Sequence, residues 1–136
     1  MGKNKTEKIN SKNGLLAIII RKGYGTEGVN FVSPDNFPLQ LGMHLRKKGD
    51  FIKPHKHVPF DKLLNIPVQE FIYVESGRVQ INIFEGNKKI KKVSLSGGDM
   101  ILLNCAHDLK CVEKTKMIEI KQGPYRGKQE EKRFLK

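Results

Sequence analysis

The sequence predicts an all-β fold, a single domain built as an antiparallel sandwich or small barrel. From residue 15 onward the chain consists of short apolar runs separated by turn residues, and helical periodicity is nearly absent. Several runs alternate apolar and polar residues, as in VQINI at 79–83, which is typical of strands with one buried face. Glycine-containing turns at 75–77, 85–87 and 97–99 suit hairpin connections.

The predicted strands follow one another closely along the chain. In order they read LLAIII, NFV, LQLGMHL, EFIYV, VQINIF, KKVSL, MILL and KMIEI. In LQLGMHL the apolar residues at 39, 41, 43 and 45 share one face. Four lysines flank Ile90, as is typical of a guarded strand edge. The segment 58–69 contains two prolines and little alternation, so it is predicted to be a loop, either a lid over a site or a surface insertion.

Three regions follow from this pattern. Residues 1–14 are predicted to be a flexible polar N-terminus, and residues 15–125 the β-barrel domain. Residues 126–136 form a charged C-terminal tail that can adopt a short helix, with Phe134 and Leu135 packing on the body or on a second subunit.

Charge and hydropathy narrow the range of partners. The net charge of +12 favours association with anions such as nucleic acids, phosphorylated metabolites or acidic membranes. The lysines are scattered and form no recognised nucleic-acid motif, so a solvated basic surface is the favoured interpretation and nucleic acid a disfavoured partner. No apolar run reaches the ~18 residues of a membrane span, and residues 1–14 lack a secretory signal, which predicts a cytoplasmic protein. Cys105 and Cys111 are then expected to be free thiols.

The histidines indicate a metal site. Residues 49–77 read G-DFIKP-HKH, twelve residues, then E-FIYVES-G. In an extended strand His55 and His57 project to the same side, as two imidazoles on one ion require. Glu70 opens the predicted strand EFIYV and can present a carboxylate to the pair, and His107 lies further along the chain.

Each of these residues also has a structural interpretation. Alone, the histidine pair would be surface histidines near a turn, and the glutamate a salt-bridged strand carboxylate. Cys105, two residues before His107, is either a further ligand or a buried, inert thiol. His44 lies outside the pattern and is assigned a structural role.

The pattern resembles the first motif of the cupin superfamily: glycine, five residues, His-x-His, a short spacer, glutamate, six residues and glycine. The matching residues are Gly49, His55, His57, Glu70 and Gly77. Only the spacer departs, with twelve residues where three or four are usual. The family's second motif has glycine, five residues, Pro-x-Gly, two residues and histidine. Here Gly98 and His107 match it, but the proline and glycine are missing and the loop is two residues shorter.

The closing stretch Glu113 to Tyr125, EKTKMIEIKQGPY, resembles the end of a group of small single-domain cupins, some encoded among genes for bacterial surface-polysaccharide synthesis. That resemblance covers about Val29 to Tyr125. It implies a double-stranded β-helix, that is, a jelly-roll barrel with the metal inside, and a homodimer. It implies four metal ligands, His55, His57, Glu70 and His107, and assigns no further catalytic residue.

Such a ligand set leaves coordination positions open, and Fe, Mn, Ni and Zn all accept it. A bound ion can lower the pKa of water to about 7, polarise a carbonyl or enediol oxygen, or bind dioxygen if it is iron. The predicted function is therefore a metal-dependent enzyme, of isomerase, epimerase or dioxygenase type, acting on a small oxygenated metabolite. A carbohydrate or sugar-nucleotide precursor as substrate rests on the resemblance. The alternative is a metal-containing binding or regulatory module without turnover.

Overall fold

The structure is a computed structural model and describes residues 6–61 and 65–135. Within that part of the chain the regular elements are ten strands and one short helix, and every strand pairing is antiparallel. The prediction of an all-β chain is confirmed. The elements are β1 (Thr6–Ser11), β2 (Gly14–Ile20), β3 (Gly28–Phe31), β4 (Gly42–Leu45), β5 (Glu70–Ser76), β6 (Arg78–Glu85), β7 (Lys88–Ser96), β8 (Met100–Leu103), β9 (Ala106–Cys111), β10 (Lys116–Lys121) and α1 (Lys128–Glu131).

The chain divides into two compact units. The larger unit contains the residues up to Tyr24 and those from Val68 onward, and the smaller unit is Gly25–Pro67. The sequence predicts one domain because no change in composition divides it. The larger unit is discontinuous along the chain, and composition does not reveal a division of that kind.

The larger unit contains a five-stranded sheet in the order β1-β2-β8-β5-β10. The last five residues of β2 are all buried, so both faces of this strand are shielded from water. Alternation is clearer in β5, where Ile72 and Val74 are buried and Phe71 and Tyr73 are half-buried. One face of β5 therefore contributes fully to the core, as period-two patterning predicts.

A three-stranded sheet in the order β7-β6-β9 belongs to the same unit. In β6, Val79, Ile81 and Ile83 are fully buried, and burial of each contributes about 2 kcal/mol. They share one apolar cluster with Ile72 and Val74, so the two sheets pack face to face as a sandwich. Within the described residues none of the sheets closes into a barrel.

The smaller unit contains the antiparallel pair β3 and β4. The sequence predicts a strand over 39–45, but the observed strand begins only at Gly42. The side-chain amide of Gln40 donates hydrogen bonds of 2.8 Å to the carbonyl oxygens of Pro34 and Phe37, which holds the preceding segment in a loop. None of the residues 46–61 lies in a strand or helix.

The N-terminal segment differs from the flexible terminus predicted for residues 1–14, of which 1–5 lie outside the described residues. Thr6–Ser11 forms β1, which pairs with β2, and Ile9 is buried in the core. Only one residue of β1 is strongly apolar, so hydrophobic patterning gives almost no signal for this strand. At the other end, α1 lies in the tail 126–136, where a short helix is predicted. Across the described ranges, no helix has the length and apolar character needed to cross a membrane.

Candidate metal centre

Glu70 is placed by the alternation of β5. Ile72 and Val74 are buried in the sandwich, and Glu70 lies two residues earlier on the same face. Its cross-strand neighbours are Leu103 of β8 and Lys121 of β10. The side chain is only 18% exposed. Glu70 therefore presents a carboxylate to the interior from a strand, as the pattern EFIYV predicts.

His107 approaches the same point from the other sheet. It lies on β9 opposite the buried Ile83 of β6, on the interior face of the three-stranded sheet. Its Nε2 is 3.4 Å from Oε1 of Glu70. Its Nδ1 is 2.9 Å from the carbonyl oxygen of Cys105, an acceptor that requires an N–H on that nitrogen. The backbone thus fixes one proton on Nδ1 and directs Nε2 toward the carboxylate.

The electrostatics of this pair require a positive charge between its two facing atoms. The hydrogen bond with His107 lowers the pKa of Glu70, although desolvation opposes the effect. The same hydrogen bond raises the pKa of His107, again against desolvation. Because Nδ1 already bears a proton, a neutral imidazole would direct the Nε2 lone pair at an anionic oxygen. Either a proton or a metal cation between Nε2 and Oε1 removes that repulsion.

The pair faces a cavity of about 510 Å³ in the larger unit. This volume is within the range of small-molecule sites, roughly 300–1,000 Å³. Leu103 and Leu109 supply apolar surface, and Glu119 and Lys121 add charged groups. The cavity therefore combines apolar surface with many ionisable side chains, and acidic and basic groups are both present.

Cys105 lines the same cavity and also packs against the apolar core. Desolvation by burial raises the pKa of its thiol to about 11. In the metal-free protein the thiol is therefore protonated at neutral pH. A bound cation would itself favour the thiolate, so the choice between a ligand and an inert thiol stays open.

The remaining histidines belong to the smaller unit and are exposed. The sequence predicts His55 and His57 on an extended strand, but their segment is not part of a strand. Their rings are nevertheless adjacent, with centroids 5.2 Å apart in an edge-to-face arrangement. Nδ1 of His55 is 2.8 Å from the carbonyl oxygen of Lys53. His44 lies on β4, outside this segment.

Each unit thus contains a different adjacent pair of the four predicted ligands. Glu70 and His107 meet in the larger unit, and His55 and His57 lie side by side in the smaller one. Throughout residues 6–61 and 65–135, no three His, Cys, Asp or Glu side chains are grouped as ligands of one ion. A common ion for all four residues stays a prediction.

Charged residues of β10 in the cavity were not predicted from the sequence. Lys121 and Glu119 lie on β10, and the register pairs them with Glu70 and Ile72 of β5. They therefore lie on the same face of the sheet as Glu70. The alternation in KMIEIK could have placed Glu119 and Lys121 on one face. The cross-strand register that brings them beside Glu70 is a long-range property that the pattern does not encode.

The predicted loop 58–69 is described except for residues 62–64. Val68 lines the cavity. Gln69 is 1% exposed, and its side-chain amide donates a hydrogen bond of 3.0 Å to Asn104. The C-terminal end of the loop is therefore anchored beside the site, while the choice between a lid and a surface insertion stays open.

Comparisons of the chain with protein families, with curated proteins and with solved structures find no match. The resemblance to the cupins therefore depends on the residues of the two motifs alone.

The interaction between Glu70 and His107 predicts a pH-dependent contribution to stability in metal-free protein. A raised folded pKa of His107 gives stability that is present at low pH and lost as pH rises through that pKa. A lowered folded pKa of Glu70 gives stability that is lost as pH falls through it. We expect Glu70→Gln to lower the free energy of unfolding by about 1 kcal/mol near pH 5.5, and by much less near pH 9.

Urea unfolding in the presence of a chelator measures this difference. Glu75→Gln is the matched control, because Glu75 is on the same strand but pairs with Lys116 at 3.0 Å on the surface. The loss in the control should be small and nearly equal at the two pH values, because a solvent-exposed ion pair contributes little to stability. Equal losses for Glu70→Gln at both pH values would contradict an ionised pair.

Proposed function

We propose that this chain is a metal-binding protein of the cupin type, in which His55, His57, Glu70 and His107 hold one divalent cation. The observation that carries the proposal is the approach of Glu70 and His107 from two sheets, with Nε2 and Oε1 3.4 Å apart. Two ligand atoms, each about 2.1 Å from one ion at a tetrahedral angle, are also about 3.4 Å apart. The distance therefore suits a shared ion as well as a shared proton.

The surroundings of His107 support the same proposal. Metal-binding imidazoles commonly donate their second N–H to a backbone carbonyl or carboxylate, which fixes the tautomer and the ring orientation. The contact from Nδ1 to the Cys105 carbonyl is of this type. Leu103 and Leu109 would supply apolar surface beside a cation bound in the cavity.

A jelly-roll, double-stranded β-helix is proposed as the finer description of the fold. Two facing antiparallel sheets support it, since a jelly roll is a double-sheet architecture. The motif glycines support it as well, because Gly49, Gly77 and Gly98 all have φ between +93° and +96°. Glycine adopts such values without the steric cost that other residues carry.

The activity we propose is catalysis on a small oxygenated metabolite, with a carbohydrate or sugar-nucleotide precursor as the preferred class. A bound Fe, Mn, Ni or Zn ion would supply Lewis acidity for isomerisation or epimerisation, or a dioxygen site for oxygenation. The chain's own residues would bind and orient the metabolite, with Leu103 and Leu109 against its apolar surface and Lys121 near its oxygens.

A non-catalytic binding module is the second candidate, and one observation favours it. The main ionisable groups of the cavity are engaged with one another: Glu70 with His107, and Lys121 with Glu131. None of these four is left as an obvious general acid or base. A cytoplasmic homodimer is also proposed. The exposed Ile118 and Ile120 on the outer face of the edge strand β10 support the dimer.

Elemental analysis of protein purified without an affinity tag or added metal tests the proposal. We expect about one divalent ion per chain, which is lost in the double variant His55→Ala, His57→Ala and retained in His44→Ala. His44 is the matched control because it is an exposed histidine of the same unit outside the motif. Metal-free wild-type protein that also fails to bind added Fe, Mn, Ni or Zn would contradict the proposal. Product formation from candidate sugars, followed by mass spectrometry, separates the enzyme from the binding module.

A further inference from the structure

The C-terminal tail is fastened beside the cavity through one carboxylate. Oε1 of Glu131 is 3.3 Å from Nζ of Lys121, and Oε2 accepts hydrogen bonds of 3.1 Å from both the backbone N–H and Nε of Arg126. The Glu131 side chain is 8% exposed, far less than expected for a residue near a chain end. These hydrogen bonds, that from the Arg126 backbone first, lower the pKa of Glu131. Glu131 therefore acts as an ionised anchor for the tail.

The cation that receives this carboxylate belongs to the candidate site. Lys121 is directly opposite Glu70 in the register of β10 and β5, and it lines the same cavity. Its ammonium is also 3.9 Å from Glu119 of its own strand. Of these contacts the hydrogen bond with Glu131 contributes most to raising the pKa of Lys121. The lysine thus holds a carboxylate at the edge of the cavity.

The residues that follow the anchor form part of the cavity wall. Lys132, Arg133, Phe134 and Leu135 all line the cavity, together with Glu131 itself. The tail therefore forms part of the wall of the cavity that contains Glu70 and His107. An incoming anion and the Glu131 carboxylate would compete for the same ammonium group.

We propose that the cavity binds a small molecule carrying a carboxylate, and that this carboxylate takes the place of Glu131 on Lys121. Glu131 thus competes with the ligand for the ammonium group of Lys121. The inference gives the chemical class of the ligand. It rests on the proposed function, because it takes the same cavity as the binding site. Binding of the carboxylate releases the tail, and removal of the competing charge strengthens binding. The expected gain is about threefold to fivefold, which corresponds to a tail that is closed for about two thirds to four fifths of the time.

Titration with succinate, followed by the amide NMR shifts of β5 and β10, tests the inference, with neutral succinamide as the uncharged probe. Glu131→Gln should bind succinate about threefold to fivefold more tightly than the wild-type protein. Lys121→Met should lose most of the succinate affinity, and succinamide binding should be insensitive to both substitutions. Glu130→Gln is the matched control, because Glu130 lies on the same short helix and, among the described residues, makes no ion pair.

Equal succinate affinities in Glu131→Gln, Glu130→Gln and wild type would overturn the competition, and full affinity in Lys121→Met would overturn the anchor. Circular dichroism of each variant separates lost binding from lost folding. Metal content is measured in the same samples. Absence of metal would count against the proposed function. The change in succinate affinity caused by Glu131→Gln tests the present inference independently of metal content.

Discussion

A His107→Ala variant is expected to bind divalent metal about 100-fold more weakly than the wild-type protein. The substitution removes the imidazole that approaches Glu70 across the sandwich and leaves the carboxylate without its facing partner. It also removes the contact from Nδ1–H to the Cys105 carbonyl that orients the imidazole. Competition with a chromophoric chelator measures the affinity of each variant.

His44→Ala is the control for this comparison, since it removes an exposed histidine outside the site and should leave the affinity unchanged. Glu70→Gln should weaken binding as His107→Ala does, because an amide oxygen is a poorer ligand for a divalent cation than a carboxylate. If all three variants bind metal with wild-type affinity, Glu70 and His107 are an ordinary ion pair.

A Gly77→Ala variant is expected to lose about 3 kcal/mol of folding free energy. Gly77 joins β5 to β6 with φ at +96°, a conformation that alanine adopts only with strain. A Cβ at this position would also collide with the carbonyl oxygen of Lys114 and lie 2.5 Å from Oγ1 of Thr115. Thr115 cannot move aside easily, because its Oγ1 accepts a hydrogen bond from the backbone N–H of Arg78 and donates one to the carbonyl oxygen of Arg78.

Gly86→Ala separates the two causes of that loss. Gly86 also has a positive φ, +59°, but a Cβ there would meet no atom within 4 Å. Its loss should therefore be limited to the backbone cost of about 1 kcal/mol. Urea unfolding of both variants gives the comparison. Similar losses at the two positions would show that steric contact with Lys114 and Thr115 is unimportant.

The strands that could be predicted are those whose own residues alternate. EFIYV and VQINIF predicted β5 and β6 because one face of each is buried against the other sheet and the other face is half-exposed. Glu70 could be placed on the interior face for the same reason. The all-β class followed from these strands and from the turns between them.

Other features depend on contacts between distant parts of the chain, and no local pattern reports them. β1 is recruited by backbone pairing with β2 and by the single side chain of Ile9. The smaller unit lies between two parts of the larger one in sequence, without a change in composition. The contact of Glu131 with Lys121 likewise depends on how the tail folds back, since each residue alone reads as a solvated charge.

X-ray absorption at the edge of the bound metal tests the central claim most directly, because the fine structure counts the imidazoles in the first coordination shell. If His55, His57 and His107 share the ion with Glu70, the wild-type spectrum should fit three imidazoles and one carboxylate oxygen. The spectrum of His107→Ala should then fit two imidazoles, and that of His44→Ala should match wild type. A wild-type spectrum that fits oxygen ligands alone, or one unchanged by His107→Ala, would contradict the shared site.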